Sequence, residues 1–352
     1  MTPAVILTMI VRDEAHIIRR CIDSVATLVD GVYIHDTGSV DGTDVVAKHA
    51  CQQHGLLCEV EEWPWKNFGY NRTNCIDAAA IWAGRLYPDR RPTYALMIDA
   101  DEVLEPQGER PFVPLLTHDL YDIQTVLGGA TYWRPQLFRL DKGFRFKGVA
   151  HEFLDAPHGI TRDRLHGVIN RPIQDSARNR MGAEKYRLDA LTLREALQSE
   201  ADPFLRQRYT FYLANCYRDM GDYQSALTRY MDRSIMGGWP DEVYCSLLYG
   251  GRMAAKLGND AAAAEMWGRA ATMGLPRVEA LYHAIQYHRT HGAEEFARVL
   301  LGQAQRVAVS DAGLFVEGWA AREGIPAEAE LLREVAPPPR GRAVKLIPDF
   351  TQ

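Results

Sequence analysis

The sequence has no Cys-x-x-Cys pair, no glycine in the turn after its first apolar run, and no basic region ahead of its apolar opening. Each absence closes a class. The six cysteines, Cys21, Cys51, Cys58, Cys75, Cys216 and Cys245, are too scattered for a zinc cluster or the disulfide framework of a small secreted domain. They read as reduced, mostly buried thiols of a cytoplasmic protein. The stretch Thr8 to Glu14 cannot wrap a triphosphate as a nucleotidyl transferase would, and no GxGxxG follows a strand, which removes dinucleotide binding. The apolar residues 3–11 run straight into Arg12-Asp13-Glu14, so they are neither a signal peptide nor a spanning helix. Charge of one sign is also scarce: 40 Lys and Arg against 46 Asp and Glu give a net charge of -6, with no general pull toward nucleic acid or anionic lipid. A nucleic-acid partner is therefore not expected.

What is present is enough for two cores, since the chain has 352 residues and is 47% hydrophobic. In the first half, apolar runs at 4–11, 31–36, 57–61 and 94–99 alternate with helical patterns at 17–25, from Asp41 onward, and at 71–86. Strand alternating with helix predicts a parallel sheet, whose ligands sit outside the carboxyl ends of the strands, where Asp36 and Asp99 fall. Residues 131–154 are aromatic and basic and predict further strands and loops. Past Met181 the pattern becomes long amphipathic helices. Gly221, Gly258 and Gly292 recur 37 and 34 residues apart, with Ala226, Ala263 and Ala297 five positions after each, and Tyr230, Trp267 and Leu301 nine positions after. This spacing resembles tetratricopeptide helix pairs.

The acids Asp99 and Asp101 are two apart at a strand end, so both side chains are expected on one side, able to share a divalent cation that bridges a diphosphate. Alone, so short a motif more often just caps the next element. Its surroundings carry more. Met97-Ile-Asp-Ala-Asp-Glu-Val-Leu104, Thr8-Met-Ile-Val-Arg-Asp-Glu14 and Val32-Tyr-Ile-His-Asp-Thr-Gly-Ser-Val-Asp-Gly-Thr43 together resemble family 2 glycosyltransferases of the GT-A fold. The resemblance extends through Trp63-Pro-Trp-Lys-Asn-Phe-Gly-Tyr-Asn-Arg-Thr-Asn74 and Arg145-Phe-Lys-Gly-Val-Ala-His-Glu152 into the repeats, matching the branch fused to tetratricopeptide-like helices.

The resemblance implies an α/β GT-A catalytic domain over residues 1–175, helical repeats over 182–310, and a C-terminal helix with a Pro-rich tail over 311–352. It implies an inverting sugar transfer from a nucleotide-diphosphate donor, UDP-sugar favoured, to a peptide, protein or glycan. The donor would lie against Thr8, Val11, Glu14, Asp36, Arg72, Asp99 and Ala100, with Asp36 on the base and Arg72 on the diphosphate. Mn²⁺ or Mg²⁺ would be held by Asp99 and Asp101; on residue type alone, His151 or His166 could complete the shell, with His166 the favoured one. Glu152 would be the catalytic base, with His151, Trp133 and Arg145 as acceptor-side neighbours. A homodimer through the repeats is a further expectation. Two other readings remain: a protein-binding scaffold with an inactive transferase domain, and glycosylation of a modified nucleobase. Residues 106–128 carry no placeable motif.

Overall fold

The computed structural model describes residues 2–89, 91–108, 115–128, 130–310 and 313–334. The Pro-rich tail expected at 337–342 lies outside the described residues. The chain divides into two compact units, Met1–Leu257 and Gly258–Gln352.

The first unit opens with β1 (Ala4–Val11), α1 (Ile18–Val25), β2 (Gly31–Asp36), α2 (Thr43–Gln53), β3 (Leu57–Glu62), α3 (Phe68–Leu86) and β4 (Thr93–Met97). The continuous apolar run of β1 fits a strand covered on both faces, and every residue of it except Ile10 is buried. In α1 the buried Ile18, Cys21, Ile22 and Val25 repeat at helical spacing and form the stripe that packs on the sheet. Helix α3 starts three residues before the periodicity predicts, because the Asn67 side chain accepts from the Tyr70 amide and caps it.

Then come β5 (Glu102–Pro106), β6 (Leu120–Leu127), β7 (Ala130–Arg139), β8 (Arg145–Lys147), β9 (Phe153–Asp155) and β10 (Arg162–Pro172). Eight strands form one sheet in the order β3-β2-β1-β4-β7-β6-β10-β5, while β8 and β9 pair separately. Strands β1 to β4 are mutually parallel, and β7 is antiparallel to β4. The chain moves outward from β1 to β2 and β3, then returns to the other side of β1 as β4. The carboxyl ends of β1 and β4 therefore flank a topological switch point, the usual crevice for a ligand in an open α/β sheet.

After the sheet come α4 (Ala177–Arg180), α5 (Ala183–Ser199), α6 (Pro203–Asp219), α7 (Tyr223–Ile235) and α8 (Pro240–Lys256). The second unit contains α9 (Asp260–Ala271), α10 (Glu279–Thr290), α11 (Glu294–Ala304) and α12 (Ile325–Glu334). The predicted order, an α/β sheet followed by helical pairs, is present. The repeat glycines Gly221, Gly258 and Gly292 all have positive φ, at 80°, 75° and 75°, which is the conformation that ends one helix and turns into the next. Ala226, Ala263 and Ala297 are fully buried, as small residues at close helix approaches should be. No helix among the described residues is long and apolar enough to cross a membrane.

Candidate active site

The acidic pair does not sit on a strand. Strand β4 ends at Met97, and the Glu102 amide donates to the Asp99 carbonyl at 2.9 Å, so residues 99–102 close a tight turn into β5. Strand alternation therefore does not govern their side chains, and the two acids take different partners. Asp99 Oδ1 accepts from Arg72 Nη2 at 2.6 Å, while Asp101 Oδ2 accepts from Asn179 Nδ2 at 3.0 Å.

Arg72 is the centre of the arrangement. It stands in the second turn of α3, whose first turn is docked on residues 148–149: the Phe68 and Gly69 amides donate to the Val149 and Gly148 carbonyls at 3.2 and 3.0 Å. A Cβ at Gly69 would lie 2.4 Å from the Gly148 carbonyl oxygen, so the approach requires glycine. This docking brings Glu152 to Arg72, and Arg72 Nε donates to Glu152 Oε1 at 2.6 Å. One guanidinium thus spans the acid after β4 and the acid before β9. Its side chain is 9% exposed and Glu152 13%, but Asp99 is 37% exposed and open to a ligand.

The charges around it are unevenly neutralised. Burial works against the Asp99 charge, yet Arg72 and Arg134 hold its carboxyl below the usual range. Asp101 has no ion pair with an arginine among the described residues: burial and then the charge of Asp99 push it up. Glu14, just after β1, is pushed up to about 7, first by burial and then by Asp101, Asp99 and Asp41, against the lowering effect of the Ala177 amide. A strap from residues 175–179 lies on these acids. Asp175 takes both terminal nitrogens of Arg20 at 2.7 and 2.8 Å, the Ala177 amide reaches the Glu14 carboxylate at 3.2 Å, and Asn179 reaches Asp101.

Asp36 ends β2 with its Oδ1 accepting from the Gly38 and Ser39 amides at 3.0 and 2.7 Å, a turn closure that leaves Oδ2 as acceptor. Residues 13–15 are tied to the neighbouring loop by Ser39, Asp41 and Thr43, so the carboxyl ends of β1 and β2 form one braced rim.

Several expected residues stand elsewhere. Thr8 is sealed within β1, its hydroxyl donating to the Leu96 carbonyl at 3.4 Å, and cannot line a donor site. The Val11 and Ala100 side chains belong to the sheet core, and the Val11 carbonyl is taken by the Thr37 amide and hydroxyl. His166 cannot join Asp99 and Asp101 on a cation. It lies beyond the regularly paired residues 168–172, in the bulge between Leu165 and Ile169, while Ile173 bonds the Asp101 carbonyl, so more than about 13 Å of strand separates them. Its ring meets Trp133 edge-to-face with centroids 5.4 Å apart. Trp133 also carries Arg164 over its face, and Arg145 pairs with Asp77 at 2.8 Å. Neither has a contact with Glu152 among those described. His151 precedes Glu152 and stacks on Tyr212 with centroids 3.9 Å apart.

Three contributors went unnoticed in the sequence. Arg134 pairs with Glu102, which also accepts from the Asp99 amide at 3.1 Å, so it braces the acidic turn from β7. Asn179 and the Ala177 amide come from a segment that reads as a domain boundary. None has a motif, and only the turn into α4 brings the strap back to the acids.

No family model matches the sequence. A TPR repeat-containing protein of Synechococcus elongatus is 33% identical over 151 residues, which cover 42% of this chain and 35% of that protein. The chain thus matches about a third of the length of this curated relative. Among solved structures, S. aureus TarS 1-349 superposes with a TM-score of 0.35 at 12% identity, covering 90% of this chain and 99% of that one. Its complex with UDP gives 0.33 at 10% identity, covering 84% and 92%. BtubC of P. vanneervenii gives 0.33 at 16%, covering 49% and 84%. Superpositions this loose carry no argument about the site.

Proposed function

We propose that the chain is a nucleotide-sugar glycosyltransferase that moves a sugar from a nucleotide-diphosphate donor, UDP-sugar favoured, to a peptide, protein or glycan. The observation that carries this reading is Arg72, buried at a sheet switch point and forked between Asp99 and Glu152. A guanidinium there can exchange a carboxylate oxygen for a diphosphate oxygen of the same geometry. The free Oδ2 of Asp36 suits a ring N–H of the base. We assign catalysis to residues 1–175, with the repeats of 182–310 recruiting a polypeptide or a second copy of the chain.

A divalent cation fits this chemistry. Asp101 and Glu14 are oxygen ligands whose charges are disfavoured by burial and by the neighbouring acids, a strain that a cation relieves, and Asp99 can join them. Mn²⁺ or Mg²⁺ would draw these three together, since their carboxylates do not all lie within 4.8 Å of one another, and, when bound, would neutralise the leaving diphosphate. Glu152 would accept the acceptor's proton through its second oxygen while Arg72 holds the first, giving attack opposite the diphosphate and hence inversion.

Turnover of a nucleotide-sugar panel, with and without Mn²⁺ or Mg²⁺, tests the reading. The expected result is hydrolysis or transfer of one donor, with Asp101→Ala lowering it by about 10²–10³-fold at unchanged thermal stability. Absence of both binding and turnover across the panel favours the scaffold reading, in which the strap on Glu14 and Asp101 never leaves the acids.

A further inference from the structure

Among the described residues, one group of three His, Cys, Asp or Glu side chains brings its ligand atoms within 4.8 Å of one another: His151, Asp189 and Cys216. Asp189 stands in the middle of α5, Cys216 near the end of α6, and His151 in the loop between β8 and β9. All three lie in the first unit. None belongs to the Arg72 fork or the acidic turn.

The loop is held in a costly shape to present this imidazole. His151 has φ 51°, a left-handed conformation that costs a non-glycine residue about 1–2 kcal/mol. Arg208 Nε donates to its carbonyl at 2.9 Å, and the ring lies flat on Tyr212, with 8° between the planes. Backbone and ring are thus both fixed before any ligand arrives.

The donor set is one nitrogen, one oxygen and one sulfur. Cys216 is 2% exposed, so its sulfur is out of reach of a substrate, and a thiol nucleophile served by histidine is excluded. Asp189 receives Arg178 on Oδ1, which leaves Oδ2 for a cation and gives the carboxylate the outer partner that ligating carboxylates commonly have. A thiolate, a carboxylate and a neutral imidazole balance a charge of two. Such a mixed set suits a borderline-soft ion in tetrahedral geometry rather than Mg²⁺ or Ca²⁺.

We propose that His151, Asp189 and Cys216 form a site for a zinc-class divalent cation that ties the loop carrying Glu152 to α5 and α6. On binding, the Cys216 thiol releases its proton to solvent and forms the sulfur–metal bond, and water fills the fourth position. The cation sets the position of Glu152 without touching the donor. The site stands independently of the sugar-transfer reading.

Co²⁺ titration of the chelator-treated full chain tests it. The expected result is thiolate-to-cobalt charge-transfer absorption that saturates at one equivalent in Asp101→Ala, displaced by Zn²⁺. The absorption should vanish in Cys216→Ser and persist in Asp101→Ala, which separates this site from an all-oxygen one. His151→Ala, an exposed loop change that spares the helical core, should weaken Co²⁺ about tenfold or more. No charge-transfer band in the wild type, a band that survives Cys216→Ser, or unchanged affinity in His151→Ala would each overturn the proposal.

Discussion

Two buried arginines show how this chain uses the same pair of charges differently. Arg72 in the sheet region and Arg233 in the helical region each meet carboxylates at hydrogen-bonding distance. Arg233 is sealed: it is 0% exposed, Glu242 is 2% exposed, both partner contacts go to one oxygen at 3.0 and 3.2 Å, and the Gly237 carbonyl takes a third N–H at 2.7 Å. Arg72 holds two carboxylates from different segments, one of them well exposed, beside two acids that no arginine pairs. The sealed pair fixes the corner between α7 and α8. The open one is a charge store that a ligand can redistribute.

The largest expected effect tests that contrast. Arg233→Ala leaves the buried Glu242 with only the longer 3.3 Å contact from Arg208 and should cost up to about 3–5 kcal/mol of stability, read by urea denaturation, with donor affinity per folded molecule unchanged. Arg72→Ala should abolish donor binding in calorimetry, its stability loss coming from Glu152, 13% exposed, since Asp99 can turn to water. Equal destabilisation by both, with donor affinity intact in Arg72→Ala, would erase the distinction.

A second buried cation-forming group sharpens the comparison from the sheet side. His35 on β2 is fully buried, stacks on Trp63 with centroids 4.6 Å apart, and neither ring nitrogen has a hydrogen-bond partner among the described residues. Burial lowers it to about 4 from 6.5, against a weak opposing pull from Glu61. The unfolded chain therefore takes up this proton first. Its contribution is fully present above pH 6.5, is lost as pH falls through the window from 6.5 to about 4, and amounts to about 3 kcal/mol when lost. His35→Phe keeps the stack and removes the proton. Denaturation midpoints of the variant should fall less steeply with acid over that window, and an unchanged slope would assign the acid sensitivity to other groups.

Much of this molecule was legible in its sequence, for reasons that particular residues make plain. The apolar β1 run, the α1 stripe and the Gly221, Gly258 and Gly292 register are local periodicities, and local geometry preserves them. Asp36, Arg72, Asp99 and Glu152 were singled out through the resemblance of their surroundings, and the fold joins three of them through the Arg72 guanidinium. What failed was non-local or assumed regularity. Asp99 and Asp101 were taken as strand residues, but they stand in the turn after β4 and take different partners. His166 was assigned by residue type, whereas the pairing of β10 with β5 puts Pro172, not His166, beside Glu102. Arg134 and Asn179 reach the acids only through sheet order and the strap, which no spacing in the sequence reveals.

The smallest effects separate two glycines, one in each kind of structure. Gly69 is needed for space: an added Cβ meets the Gly148 carbonyl oxygen, a backbone atom that cannot rotate away. Gly69→Ala should cost about 1–3 kcal/mol, and because the first turn of α3 must then shift, Arg72 loses its hold on Glu152 and donor affinity should fall as well. Gly221 is needed for conformation alone. Its φ is 80° and an added Cβ meets nothing within 4 Å, so Gly221→Ala pays only the left-handed penalty, about 1 kcal/mol. Its melting temperature should drop slightly with transfer per folded molecule untouched. If Gly221→Ala lowered activity as Gly69→Ala does, the turn between α6 and α7 would belong with the site, and the division between an open, reactive sheet end and sealed helical pairs would have to be redrawn.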